Sequence, residues 1–521
     1  MRRRIVRAFF ATCGVLVGLF SISTGSGWAA SSVEPASQIV LGSLEEPGSL
    51  SALVDLPHHF PEHAPQTLLY DSLTQFMPDG TVRPKLAQKW TVSPNNLVYT
   101  FTLAPNAKFH DGAPVTAADV KFTFDAARDP KTQSSDEGLE AVEKVEAVNP
   151  RTVRVTLSRV TPQFLATGGA RGIVPKHLLE GKDLSKDAFN QKPIGSGPYQ
   201  LVSFAPGQSI VLEAVPDFYR GAAKIRRVIF KVLPDQNVIL TQLRSGEIQY
   251  ALLQPRDLAA VQNTAGLRVA ESPTPRFYDL TMNLQRAYWQ DHRVREAVLA
   301  AMDREGIVQK VLLGHGQVVH ANATPSSWAY TSDVPRYPHD PVRAKQLLDD
   351  AGWRPGSDGI RTKDGQRLRF TVMLKNFDRT LEQVFVIAQQ QLQPVGVDLQ
   401  IERVEPGVFP QRMRAGNFDA LSRVWNPVYD PDQSNLLRTG NRYGGYSNPQ
   451  VDALLDRTLA TLDRAKRKQA FMALQRLLSQ DLARLYLYTE NELHVVPAGL
   501  RGVQWHPVNI FWNLKDWELG R

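Results

Sequence analysis

The chain has 521 residues, 42% hydrophobic, 21% charged and 9% aromatic, with a mean hydropathy of −0.27. That is core-forming material for about three packing units or two large lobes at ~150 residues each, and no apolar run reaches the ~20 residues of a membrane-crossing helix, which excludes a multi-span helical membrane protein. The formal net charge of +8 does not mark a nucleic-acid surface: Arg2, Arg3, Arg4 and Arg7 sit at the very start, the first thirty residues hold no acid, and the rest balances 56 basic against 52 acidic side chains.

The opening reads as a secretory leader, with cationic MRRRIVR, apolar AFFATCGVLVGLF and a small-residue stretch ending Gly27-Trp28-Ala29-Ala30. Cleavage is expected after Ala29, and the apolar run is too short for an anchor helix. Cys13 is the one cysteine and lies inside that run, so the mature chain has no thiol, disulfide or cysteine metal site. Export to the periplasm follows, with the general and twin-arginine routes both open.

Ile39, Val40 and Leu41 open the first strand, and PQTLLYDSLTQF carries helical spacing at Leu68, Leu69, Ser72 and Leu73. Strand LVYTFTL precedes a helix with Thr116 as N-cap and Asp119 three residues on. TVRVTLS alternates, and YQLVSF and SIVLEAV form a hairpin across Ala205 to Gln208. VIFKVL, a helix burying Ile239, Leu240 and Leu243, and the strand at Ile248 and Tyr250 make a strand, helix, strand unit. LRVAES and RFYDLTMNL flank Pro273-Thr274-Pro275, where a lobe boundary is placed. Beyond it come the helix DHRVREAVLAAM, a helix capped by Asp340 with Pro341 first, and the unit RFTVML, LEQVFVIAQQQLQPVG, VDLQIERV. Residues 449–488 read as two amphipathic helices, followed by strand-like LHVV and the Trp-rich tail QWHPVNIFWNLKDW. The class is mixed α/β in two lobes.

Chemistry-bearing motifs are sparse. In Ile194-Gly195-Ser196-Gly197-Pro198 an isoleucine stands where a hydrolase elbow needs glycine, so the string reads as a turn. There is no Walker loop, dinucleotide fingerprint or HExxH. His58, His59 and His63 cluster beside Glu62, and His315 and His320 form a second group, but neither spacing defines a metal centre. No cofactor and no metal are expected. The loop SRVWNPVYDPD, after FDAL, brings Arg423, Trp425 and Tyr429 together. A guanidinium there could fork onto a carboxylate and an indole could wall a ligand, or Trp425 could be core and Asp430-Pro431 a helix start.

With these residues in view, the sequence resembles the extracytoplasmic solute-binding proteins of ABC importers, in the peptide/nickel cluster (family 5). The resemblance is carried by LYDSLTQFMPDGTVRPKLAQKW, YTFTLAPNAKFHDGAPVTAADVKFTFD, IGSGPYQLVSFAPGQSIVLEAVPDFYRG, VREAVLAAMDREGIV, YPHDPVRAKQLLDDAGW and WNPVYDPD, all in the family's order. It implies a large, class II-like periplasmic binding fold with mixed sheets, a hinge of two crossing strands and an extra subdomain in the larger lobe. The larger lobe is expected over 30–275 with 495–521 returning to it, and the smaller over 276–494. It also implies a monomer that captures an oligopeptide, dipeptide or nickel-chelate-type solute, docks on an inner-membrane permease, and neither catalyses a reaction nor binds nucleic acid.

The family's peptide binders place an aspartate three residues after the loop tryptophan, where it pairs with the peptide amine; here that position is Val428. By this resemblance Trp425, Tyr429 and Asp430, with Arg423 two before the tryptophan, look like the nickel-type branch, and such an arginine suits a carboxylate-bearing chelate or another organic anion. Asp430, Glu45 or Asp432 would then serve an amine, and Arg171 and Arg276 are further candidates for anion contacts. The rival readings are an exported hydrolase acting in the same cleft, a binding protein for a non-peptide organic anion, and a chaperone-like or sensory protein.

Overall fold

Alternating apolar side chains build the first half of the chain into two four-stranded sheets; the computed structural model describes residues 37–54, 64–132, 134, 138–376, 378–427, 429–441 and 444–520. In the first sheet Gln38–Ser43 runs parallel to Arg227–Val232, followed by antiparallel Ser209–Ala214 and Tyr199–Ala205. The second is antiparallel throughout, in the order Ala87–Val92, Val98–Leu103, Thr152–Leu157, Val142–Asn149. Tyr99, Phe101 and Leu103 point inward on alternate positions, as period-2 patterning requires. Helix Ala117–Arg128 covers this sheet, and the Asp119 carboxylate accepts from both the backbone N–H (2.9 Å) and the hydroxyl (2.7 Å) of Thr116, closing the expected capping box.

The helix expected through Ser72 and Leu73 is shorter than its spacing implies. It spans Ala64–Leu69, and the chain then extends into strand Thr74–Phe76. The reason lies in the Gly195-Ser196-Gly197 turn: Gly197 N–H donates to the Leu69 carbonyl at 2.8 Å, occupying the acceptor that another helical turn would use. A Cβ on Gly195 or Gly197 would stand 1.8 Å from the Leu69 oxygen or 2.2 Å from that of Leu68, so both glycines are needed for this approach. Ser196 is buried, and its Oγ accepts from Asp71 N–H at 3.3 Å.

Two large buried clusters divide the apolar side chains. One draws on residues between Ile39 and Tyr250 and again between Val496 and Trp517; the other draws on Tyr278 to Tyr488. They are joined by strand Leu485–Pro497, which pairs with Phe277–Met282 at one end and with Leu267–Pro273 and Ala251–Leu253 at the other. The second link is the segment from Pro273 to Phe277, stitched to that strand by Thr274 Oγ1 to the Glu490 carbonyl (2.8 Å) and Thr489 Oγ1 to the Arg276 carbonyl (2.6 Å).

In the second cluster Arg369–Lys375 lies parallel to both Asp398–Val404 and Ala420–Trp425, with helices His292–Ala301, Pro341–Asp350 and Arg379–Leu392 on the sheet. Helices Pro449–Leu459 and Arg464–Gln480 pack together. The second of these stops eight residues before the expected end at 488: Leu482 takes a φ of +46°, and Leu485 to Tyr488, buried on both faces, belong to the strand that continues through LHVV. Burial on both faces hides a strand's alternation. Among the described residues no helix is long and apolar enough to cross a membrane. The expected leader with Cys13, the loop of His58, His59, Glu62 and His63, and Val428 lie outside the described residues.

Candidate functional site

A cavity continuous with solvent, about 130 Å³ in volume, is lined by residues of both lobes. One wall is strand Thr74–Phe76 with the preceding Tyr70 and Ser72; a second is the turn from Thr167 to Gly172, held alongside by the Ile173 N–H to Asp71 carbonyl bond at 2.9 Å. The C-terminal tail supplies His506, Asn509 and Trp512, and the smaller lobe contributes Tyr429. Phe76 anchors the aromatic side, meeting Tyr429 edge-on at 5.5 Å and His506 at 5.7 Å between ring centroids.

His506 is a fixed, neutral element. Its Nδ1 accepts from the Val508 (3.0 Å) and Asn509 (3.1 Å) amides, so the proton is on Nε2, which donates to the Phe76 carbonyl at 3.2 Å. Burial pushes its pKa down to about 4.

Charge in the wall is one-sided. Lys85 and Arg171 line the cavity, and no carboxylate does among the described residues. Asp71 sits fully buried behind it, 3.1 Å from Lys85 and 3.9 Å from Arg220, and accepts from the Tyr219 hydroxyl. Asp71 thus faces two cations, and Arg171, itself buried, donates through Nη1 to Ser134 Oγ (3.3 Å).

Of the residues singled out in the sequence, Arg171 and Tyr429 meet in this cavity. The others lie elsewhere. Trp425 is core: its indole N–H donates to Asp279 at 2.8 Å, and the guanidiniums of Arg423 and Arg484 lie 3.8 and 4.2 Å from its ring centroid. Asp430 receives two bonds from Arg467, at 2.7 and 2.8 Å, and burial raises its pKa against the pull of that arginine. Arg276 pairs with Glu492 at 2.8 Å and reaches Glu490 at 4.0 Å. Glu45 is exposed on the turn after the first strand, where its carbonyl accepts from Ser43 Oγ at 2.7 Å. His315 faces Glu271 at 3.1 Å, and among the described residues no three His, Cys, Asp or Glu side chains converge as a metal cluster. Sequence reasoning passed over Lys85, Phe76 and His506; the first two lie in the motif stretch beginning at Leu69, and the third in the Trp-rich tail.

Two α/β lobes joined by crossing segments, with a solvent-open cavity lined from both, define a two-lobe solute-binding fold. The chain belongs to the bacterial extracellular solute-binding proteins of family 5, whose middle region matches residues 81–447. It is 28% identical to the oligopeptide-binding protein AppA of Bacillus subtilis over 99% of this chain and 97% of that one. The structure of that AppA in complex with a nonapeptide superimposes with a TM-score of 0.78 over 93% of this chain and 99% of its own. NikZ from Campylobacter jejuni in complex with Ni(L-His), 27% identical, gives 0.80 over 93% and 100%. The probable D,D-dipeptide-binding periplasmic protein DdpA of Escherichia coli is 28% identical over 91% and 92%.

Proposed function

We propose that this chain is the periplasmic solute-binding component of an ABC importer and that its solute, a short peptide or a metal chelate, carries a carboxylate held at Lys85 and Arg171. The observation behind this reading is that Lys85 and Arg171 line the cavity while none of its described lining residues is a carboxylate. A buried guanidinium and a partly buried ammonium favour a ligand anion more than a solvated pair does. The peptides and the nickel–histidine complex bound by the relatives have such a group in common. Residues 1–29 are removed on export, the lobes divide at 275/276 and 494/495, and the solute is released unaltered to an inner-membrane permease.

Calorimetry with trialanine, its C-terminal amide and the nickel–histidine complex tests the reading. The expected outcome is that a free carboxylate binds and that its amidation, or Arg171→Met, weakens binding by about tenfold or more, the value of a charge-assisted hydrogen bond. Equal affinity for acid and amide contradicts it, and recovery of cleaved trialanine returns the hydrolase reading.

A further inference from the structure

Just beyond the cavity the two lobes meet at a contact that involves none of its lining charges. Strand Thr74–Phe76 leaves the wall and enters a turn locked by Gly80 N–H to the Met77 carbonyl (2.8 Å), Met77 N–H to the Thr81 carbonyl (2.8 Å) and Asp79 Oδ1 accepting from Thr81 N–H (2.9 Å). The turn sits against the smaller lobe. Arg464 Nη2 donates to the Asp79 carbonyl at 2.7 Å, and the same guanidinium lies 5.0 Å from the Trp328 ring centroid. Trp328 is held from behind by Phe471, edge-on at 5.7 Å, and by Arg467 at 5.4 Å.

Two features show that this contact is built. Gly80 has a φ of +72°, and a Cβ there would stand 2.8 Å from Arg464 Nη2 and 3.0 Å from Trp328 Cδ1. Gly112 and Gly207, in left-handed turns of the same lobe, would meet nothing within 4 Å. Turn geometry alone accounts for those two; Gly80 also has to fit its partner. The second feature is the start of helix Arg464–Gln480, where the Asp463 N-cap takes the Ala465 and Lys466 amides at 2.9 and 3.1 Å. Arg464 and Arg467 are not held by this cap but turn to tertiary partners, the Asp79 carbonyl and Trp328 for Arg464 and Asp430 for Arg467.

We propose that Arg464, Trp328 and Gly80 form an interlobe latch, in which Arg464 is a positioning residue that raises solute affinity without touching the solute. A contact made only in the closed form raises the closed fraction, and the apparent dissociation constant falls in proportion to that fraction. The latch acts on any solute chemistry, so it stands apart from the carboxylate reading.

The test is the distance distribution between spin labels on cysteines at exposed positions 192 and 457, measured by double electron–electron resonance on the solute-stripped mature chain. Arg464→Ala is expected to lower the closed-to-open ratio about fivefold to tenfold, the worth of one hydrogen bond and one cation–π contact, with an unchanged melting midpoint. Gly80→Asn, which tolerates the left-handed turn but adds a Cβ, is expected to do the same. A closed-to-open ratio equal to that of the wild type in both variants overturns the latch.

Discussion

On the larger-lobe side, Lys85 and Arg220 approach one buried carboxylate, Asp71, and Lys85 and Arg171 line the cavity wall. On the smaller-lobe side, three buried carboxylates each have an arginine: Asp430 has Arg467, Asp279 has Arg484 and Glu492 has Arg276. The physical difference is whether the charge is enclosed by protein or faces an open cavity. A buried, enclosed ion pair holds the fold, because removing either member leaves a charge in low dielectric; a cation on a cavity wall is also within reach of a solute. Residue type alone does not separate these cases, since arginines stand on both sides.

The contrast is broken most strongly by Asp430→Ala. Leaving Arg467 buried and alone is expected to destabilise the smaller lobe by about 3–5 kcal/mol, read as a lowered denaturation midpoint; a midpoint unchanged within error would mean that Asp430 is not structural and would return it to the ligand. Acid comes next. The His506 pKa falls from 6.5 to about 4 on burial, so the unfolded chain takes up the proton first. The stability from this group is complete above about pH 6.5 and is lost as pH falls toward 4, by about 3 kcal/mol in all. Melting midpoints between pH 7.5 and 4.5 should fall accordingly and flatten in part in His506→Gln. His494, lowered to about 3 by burial, contributes in the same direction and keeps the variant from flattening completely.

A smaller effect belongs to the aromatic seam. Tyr429→Leu removes the edge contact with Phe76 and should weaken trialanine or nickel–histidine binding by about 0.5–1.5 kcal/mol while leaving the fold intact, as calorimetry and circular dichroism would show. Smallest is Glu45→Ala: exposed and away from the lining, it should change stability by less than about 0.5 kcal/mol and affinity not at all. A measurable affinity loss would bring the first strand's turn into the site.

The elements were legible where one face is buried and the other wet. The hairpin Tyr199–Ala205 and Ser209–Ala214, the capped helix Ala117–Arg128 and the Asp340 cap of Pro341–Asp350 all follow from local patterning. Legibility failed where long-range contacts decide. Helix Ala64–Leu69 ends because a glycine turn 126 to 128 residues later takes up its carbonyl, and Leu485–Tyr488 alternates invisibly because both faces are covered. The site divides in the same way. Arg171 and Tyr429, named from type and position, line the cavity, and of the two readings left open for Trp425, ligand wall or core, its burial beside Arg423, Arg484 and Asp279 fits the core. Lys85 becomes a candidate only once the fold places it beside Asp71 and in the cavity lining.

The most direct measurement of the account's central claim is native mass spectrometry, with elemental analysis, of the freshly purified mature chain and its Arg171→Met variant. The account predicts a retained small molecule bearing a carboxylate, as an intact peptide or a metal chelate, that is depleted in the variant. A retained solute without an acidic group, or equal retention by the two proteins, would contradict it.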